Sequence, residues 1–203
     1  MNVRTADKEM TLIRKRASGS DGLIRTKDIE ELGIGRYRIR DHIEKGLLVR
    51  VSKGLFYVAD EIPEEYVLIQ GRSEKLVFSH ETALFLQGLS DRIPLKIDIT
   101  LPQGYNAARL KRDHPDLRIH YVKKELLNVD LQTINTPQGS KIAVYGRKRC
   151  LCDAIKNYRH MDKETYINAV KTFFSEGYDV NELIKTARLL GKEKEVRRYM
   201  EVL

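Results

Sequence analysis

The order of patterns between Asp7 and Ala59 constrains this chain more than any single motif. Asp7 to Ser18 carries Met10, Ile13 and Ala17 at helical spacing, and Gly19 stops the run. A short helical stretch, KDIEEL, follows Thr26, which suits an N-cap, and ends at Gly33. The tight turn Gly33-Ile34-Gly35 opens a third helix that Gly46 terminates. Two β-rich runs, LLVRVS and LFYVA, then flank Lys53-Gly54 as the arms of a hairpin do. Helix, helix, tight turn, helix and hairpin within about 60 residues is the order of a winged helix-turn-helix.

The third helix carries the most informative pattern. In GIGRYRIRDHIEKG, residues 33–46, arginine stands at 36, 38 and 40. At 100° per residue Ile39 and Ile43 share one face, and Leu47 continues it just past the helix end. These are the expected core anchors. Tyr37, Arg38, Asp41 and Lys45 fall on roughly the opposite face, with Arg40 on the flank. Arg36 sits at the N-terminal end, where a long side chain reaches outward. All three arginines are thus expected at the surface. In a helix-turn-helix this helix leads into the major groove with its N-terminal residues. The planar arginine fork matches both guanine O6/N7 and phosphate oxygens. Asp41 and Glu44 also permit a solvated, salt-bridged helix, but the adjoining turn and hairpin favour DNA contact. Residues 33–58 hold six basic side chains (Arg36, Arg38, Arg40, Lys45, Arg50, Lys53) against two acids. Residues 1–75 as a whole carry 15 Lys/Arg against 13 Asp/Glu, so any attraction comes from this local patch rather than a general field.

Past Ala59 the acidic stretch DEIPEEY contains Pro63 and begins a new helix. It is the expected boundary, with a DNA-binding domain over 1–62 and a second domain over 63–203. In the second region SHETALFLQGL has the pattern of a helix with Ser79 as N-cap, and LKIDITLP and LRIHYVKK alternate as strands. QTINTPQGSKIAVYG suits a hairpin around Pro137-Gln138-Gly139, and helical runs follow from Arg147 onward. The expected class is α+β: an N-terminal winged helix-turn-helix, then a mixed α/β domain with a helical tail.

Signs of chemistry are few. His80-Glu81 begins like a zinc-protease motif, but Leu84 replaces the second histidine, so no metal site is expected there. Cys150 and Cys152 have no second ligand pair at zinc spacing and fit core positions. No dinucleotide-binding, P-loop or nucleophile-elbow motif is present. Asp98 lies between apolar residues, as in a metal-dependent nuclease, yet the next strand offers no matching inward acid. A solvent-facing position on a half-buried strand is expected for Asp98, and neither catalysis nor a cofactor is expected of the chain. Basic clusters recur at Arg109–Lys124 and Arg147–Arg159; in the first, Arg109, Lys111, Arg112, Arg118, Lys123 and Lys124 fit an extended phosphate-binding surface and a solvated face equally well. Net charge +8 and pI about 9.4 favour polyanions. No apolar run spans a bilayer, the charged N-terminus has no secretory h-region, and two cysteines make no disulfide framework. A cytoplasmic protein without a membrane partner is expected.

FSHETALFLQGLSDRIPLKIDITLP, residues 78–102, resembles the AbiEi family, the antitoxins of AbiE toxin–antitoxin systems. The run from Thr26 through GLLVRVSKGLFYV resembles that family's winged-helix module, and VYGRKRCLCDAIKNY resembles the helix opening its C-terminal part. The resemblance implies a protein that represses its own operon by binding inverted repeats in promoter DNA. It also implies counteraction of a nucleotidyltransferase-like toxin without a stable complex, the type IV arrangement. Thr26, Lys27, Arg36, Tyr37, Arg38, Arg40, Lys45 and wing residue Lys53 match the family's DNA-binding module. Two other functions stay open from the residues: a winged-helix regulator of other genes with a partner- or ligand-sensing second domain, and a nucleic-acid enzyme with a DNA-targeting module.

Overall fold

Helical spacing of apolar residues produces α1 (Val3–Ser18) in the computed structural model, which describes residues 3–202. Met10, Ile13 and Ala17 are buried on its inner face. A three-residue strand, β1 (Leu23–Arg25), follows and leads into α2 (Thr26–Glu31), α3 (Arg36–Glu44), β2 (Leu48–Ser52) and β3 (Leu55–Val58). The strands form an antiparallel sheet in the order β1-β3-β2, with Ile24 opposite Phe56 and Val49 opposite Tyr57. The core joins Ile24, Ile29, Ile34, Ile39, Leu48, Phe56 and Val58 to the three residues of α1, with Ile43 and Leu47 packed at its edge. Two turns depend on glycine: Gly33 (φ +79°) ends α2, and Gly54 (φ +75°) closes the β2–β3 hairpin.

Strand β1 was not expected from sequence. Three residues show almost no alternation, and the strand exists through its pairing with β3. Its last residue also displaces the expected N-cap. Arg25 is the capping residue of α2, and its backbone N–H donates to Asp28 Oδ2 at 3.1 Å. Thr26 is the first helical residue, and its N–H donates to the Gly54 carbonyl at 2.9 Å, tying α2 to the hairpin turn.

The first compact unit runs to Glu74 and includes Asn135–Ile142. Helix α4 (Glu65–Gln70) belongs to it, with Val67 and Ile69 buried. Gly71, just beyond α4, lies so close to the sheet that an added Cβ would sit 3.0 Å from Leu55 Cδ2 and 3.2 Å from Leu23 Cδ1. Ser52 Oγ donates to the Gly71 carbonyl. The boundary expected at 62/63 therefore lies inside this unit: Pro63 interrupts the chain, but packing continues past it.

The second unit contains β4 (Val77–Phe78), α5 (His80–Leu86), β5 (Ile97–Pro102), α6 (Ala108–Asp113), β6 (Leu117–Val122) and, apart from Asn135 and Lys141–Ile142, β7 (Leu131–Asn135) and β8 (Lys141–Tyr145). Helices α7 (Arg147–Asn157), α8 (Lys163–Ser175), α9 (Val180–Leu189) and α10 (Glu193–Val202) form the tail. The sheet is mixed, in the order β6-β5-β4-β8-β7, with β4 antiparallel to β5 and parallel to β8, and β5 parallel to β6. The chain is thus α+β, as expected. Cys150 and Cys152 are buried and free on α7. Burial pushes both thiols up, Cys152 to about 12, so they stay protonated core residues.

Asp98 corrects the sequence reading. Both faces of β5 are buried from Asp98 to Pro102, so the strand has no solvent side for the carboxylate to face. Asp98 Oδ1 accepts from His120 Nε2 at 2.7 Å, its backbone N–H donates to Thr82 Oγ1, and the Arg118 guanidinium lies 3.5 Å away. The His80 ring stacks on His120 with centroids 3.5 Å apart. Ser79 stands at the N-cap of α5, but its hydroxyl accepts from Thr100 instead of a helix amide. Among the described residues no group of three or more His, Cys, Asp or Glu has metal-holding geometry. The Arg147–Arg159 cluster is not a continuous surface either: Arg149 is buried against the Tyr145 ring, paired with Asp153 at 3.0 Å and donating to the Leu126 carbonyl.

Candidate nucleic-acid interface

Gly35 caps α3, which places Arg36 and Tyr37 in its first turn. Arg36, Tyr37 and Arg40 are 82%, 81% and 80% exposed. Arg36 pairs with Glu30 on α2 at 2.7 Å, and Arg40 with Glu44 one turn along at 2.8 Å. Exposed pairs of this kind contribute about 0–1 kcal/mol, so either guanidinium can exchange its carboxylate for a phosphate or a base edge at little cost. Lys27 is exposed on α2, 3.9 Å from Glu31, and Lys53 is exposed at the hairpin turn. Thr26, half-buried between α2 and that turn, holds the two together.

Arg38 differs from its neighbours. Its side chain is only 20% exposed, and its guanidinium grips Glu9 of α1, with Nε 3.1 Å from both carboxylate oxygens and NH2 2.7 Å from Oε2. His42, one turn further and fully buried, brings Nε2 to 2.7 Å from the same Oε2. Asp41 lies 3.6 Å from Arg38 and accepts from Lys45 at 2.9 Å. The Arg38 hydrogen bonds, aided by His42, hold the Glu9 carboxyl below its ordinary range, and Lys45 does the same for Asp41. The expectation of a surface Arg38 is therefore corrected. The face of α3 opposite Ile39 is covered in part by α1, and Arg38 fixes α3 to that helix. Lys45, 43% exposed and paired with Asp41, stands between the two roles.

Glu9 and His42 were missing from the expected site, and both had a signal. His42 follows Ile39 by three residues and precedes Ile43 by one, which places it on the buried arc. Glu9 precedes the buried Met10 and, on α1, faces toward α3. Arg50, also outside the expected set, is exposed on β2 with its guanidinium 5.6 Å from the Phe56 ring. The leading end of α3, Lys27 and the wing together present cations around one exposed aromatic ring. That arrangement suits phosphate and base edges in a groove.

Residues 12–59 match the family described as "Transcriptional regulator, AbiEi antitoxin". The matched segment runs from within α1 to just past β3, the part that builds this surface. No curated protein matches the chain. The chain is also similar to the crystal structure of the RV2827C protein from Mycobacterium tuberculosis, at TM-score 0.61 and 15% identity over 93% of this chain and 72% of that one. At that identity the likeness concerns the fold alone. The matched segment, folded as helices and a hairpin that present a cationic helix end, is similar over residues 12–59 to the AbiEi antitoxin family of transcriptional regulators.

Proposed function

We propose that the protein is an autorepressor and antitoxin. In this reading α3 and the wing bind inverted repeats of double-stranded DNA in the protein's own promoter. The second unit counteracts a nucleotidyltransferase-like toxin without a stable complex, in the cytoplasm and without a cofactor or metal. The DNA contacts fall to Lys27, Arg36, Tyr37, Arg40, Lys45 and Lys53, while Thr26 and Arg38 hold the helices that present them. The observation that carries the reading is the exposure of Arg36, Tyr37 and Arg40 at the leading end of α3, beside an Arg38 committed to the fold. The similarity of residues 12–59 to the AbiEi antitoxin family supports the antitoxin part.

The test is a pair of cellular measurements on one set of variants: repression of a promoter reporter, and growth under an induced nucleotidyltransferase-like toxin. Each variant is supplied from a heterologous promoter, so that loss of repression cannot alter its dose. Arg36→Ala with Arg40→Ala should lose repression and still rescue growth. Rescue that needs both arginines would mean protection runs through nucleic-acid binding. Repression by the wild-type protein without rescue would favour a winged-helix regulator that is not an antitoxin.

A further inference from the structure

Three tyrosines meet where α7, α8 and α10 converge in the second unit. Tyr158 ends α7, Tyr166 stands on α8 and Tyr199 on α10. The Tyr166 and Tyr199 hydroxyls are 2.5 Å apart, and the Tyr158 and Tyr166 rings lie 6.1 Å apart at 45°. With Ile155 and Val202 they line a cleft of about 460 Å³, within the range of small-ligand sites. Its rim carries Lys156, Lys192, Glu195 and Arg198. Lys192 is neutralised by Glu195 at 2.8 Å. Lys156 and Arg198 have no carboxylate partner among the described residues, and both are exposed.

Arg159 lies over the Tyr158 ring at 5.5 Å and donates to its hydroxyl. Part of the ring stays exposed beside an apolar floor and two rim cations without an ion pair among the described residues, and together these select a particular ligand chemistry. The ligand must present a flat ring to Tyr158, which is 49% exposed, and an anion to the rim. A nucleotide does both, because every base has a face that stacks on an aromatic side chain and every phosphate accepts from lysine and arginine. An acidic peptide satisfies the cations but leaves the ring uncovered. We propose that this cleft binds a nucleotide unit, with its base against Tyr158 and its phosphate toward Lys156 and Arg198. The site is separate from the DNA-contacting end of α3 and does not depend on it.

Isothermal titration of the full chain tests this, with Arg36→Ala and Arg40→Ala present so that the α3 surface does not contribute. The probes are AMP, a short single-stranded oligo(dA) and inorganic phosphate, at low ionic strength. AMP or the oligonucleotide should bind, and inorganic phosphate should bind far more weakly. Tyr158→Ala, Lys156→Glu and Arg198→Glu should each weaken binding by about tenfold or more, while Tyr158→Phe keeps it. Binding of AMP identifies a free nucleotide as sufficient, and binding of the oligonucleotide alone identifies a strand; both uphold the proposal. The two charge reversals, at exposed positions, carry the test if Tyr158→Ala fails to fold. No binding of either probe, affinity indifferent to Tyr158→Ala, Lys156→Glu and Arg198→Glu alike, or phosphate binding as tightly as AMP would overturn it. Each of those results leaves the DNA reading of α3 standing.

Discussion

Arg38 stands one helical turn before His42, and both reach the same carboxylate of Glu9. Arg40, two residues along, pairs with the exposed Glu44. The first arrangement fixes the angle of α3 against α1, and the second leaves a guanidinium available. Arg38→Ala should therefore lower the melting temperature by about 5 °C at pH 7, whereas Arg40→Ala should barely change it. The pH dependence follows from Glu9. A carboxyl whose folded pKa is depressed contributes stability that is present above its unfolded value, near 4.5, and lost as pH falls through the folded value. The gap between wild type and Arg38→Ala should accordingly narrow as pH falls below about 4.5 in melts followed by circular dichroism. In the second unit, His120 is the partner of the buried Asp98 and the stacking neighbour of His80. His120→Ala leaves a buried carboxylate without its imidazole and should cost about 2–4 kcal/mol in urea unfolding. Burial, and then the neighbouring His120, push the His80 imidazole well down. The unfolded chain therefore takes up this proton first, and stability should fall as pH drops below about 6.5.

At the scale of elements, what sequence could show depended on the length of each pattern. The helices with several turns of apolar spacing, the β2–β3 hairpin and the helical tail were all legible, because period and turn residues agreed over many positions. β1 was not, since three residues carry no period. Asp98 was placed on the wrong side because alternation implies a solvent face, and β5 has none between its two neighbouring strands. Arg38 was misassigned because a helical wheel gives azimuth but not what covers it, and Glu9 lies 29 residues away in sequence. The phase of α3 itself is sound: Ile39 is 4% exposed. Ile39→Asp buries an unpaired carboxylate among Ile29, Ile34 and Leu48 and should unfold the first unit, at a cost of several kcal/mol. A soluble variant with wild-type melting behaviour would contradict the core as described.

At the scale of the whole molecule, a net charge of +8 is a weak guide to what the protein binds, because many cations among the described residues are already paired. Lys27 and the leading end of α3 matter because their partners are exposed acids that a polyanion can displace. The most direct test is fluorescence anisotropy with a labelled duplex carrying the promoter's inverted repeat. It compares the wild type, Arg38→Ala, and Arg36→Ala with Arg40→Ala. The double variant should keep a native circular dichroism spectrum and lose specific binding. Wild-type affinity should fall on the order of a thousandfold or more between 50 and 200 mM salt if about six phosphates are contacted. Arg38→Ala should lose stability first and binding only in proportion. Unchanged affinity of a natively folded double variant for the inverted repeat would contradict the assignment of α3 as the DNA-contacting helix.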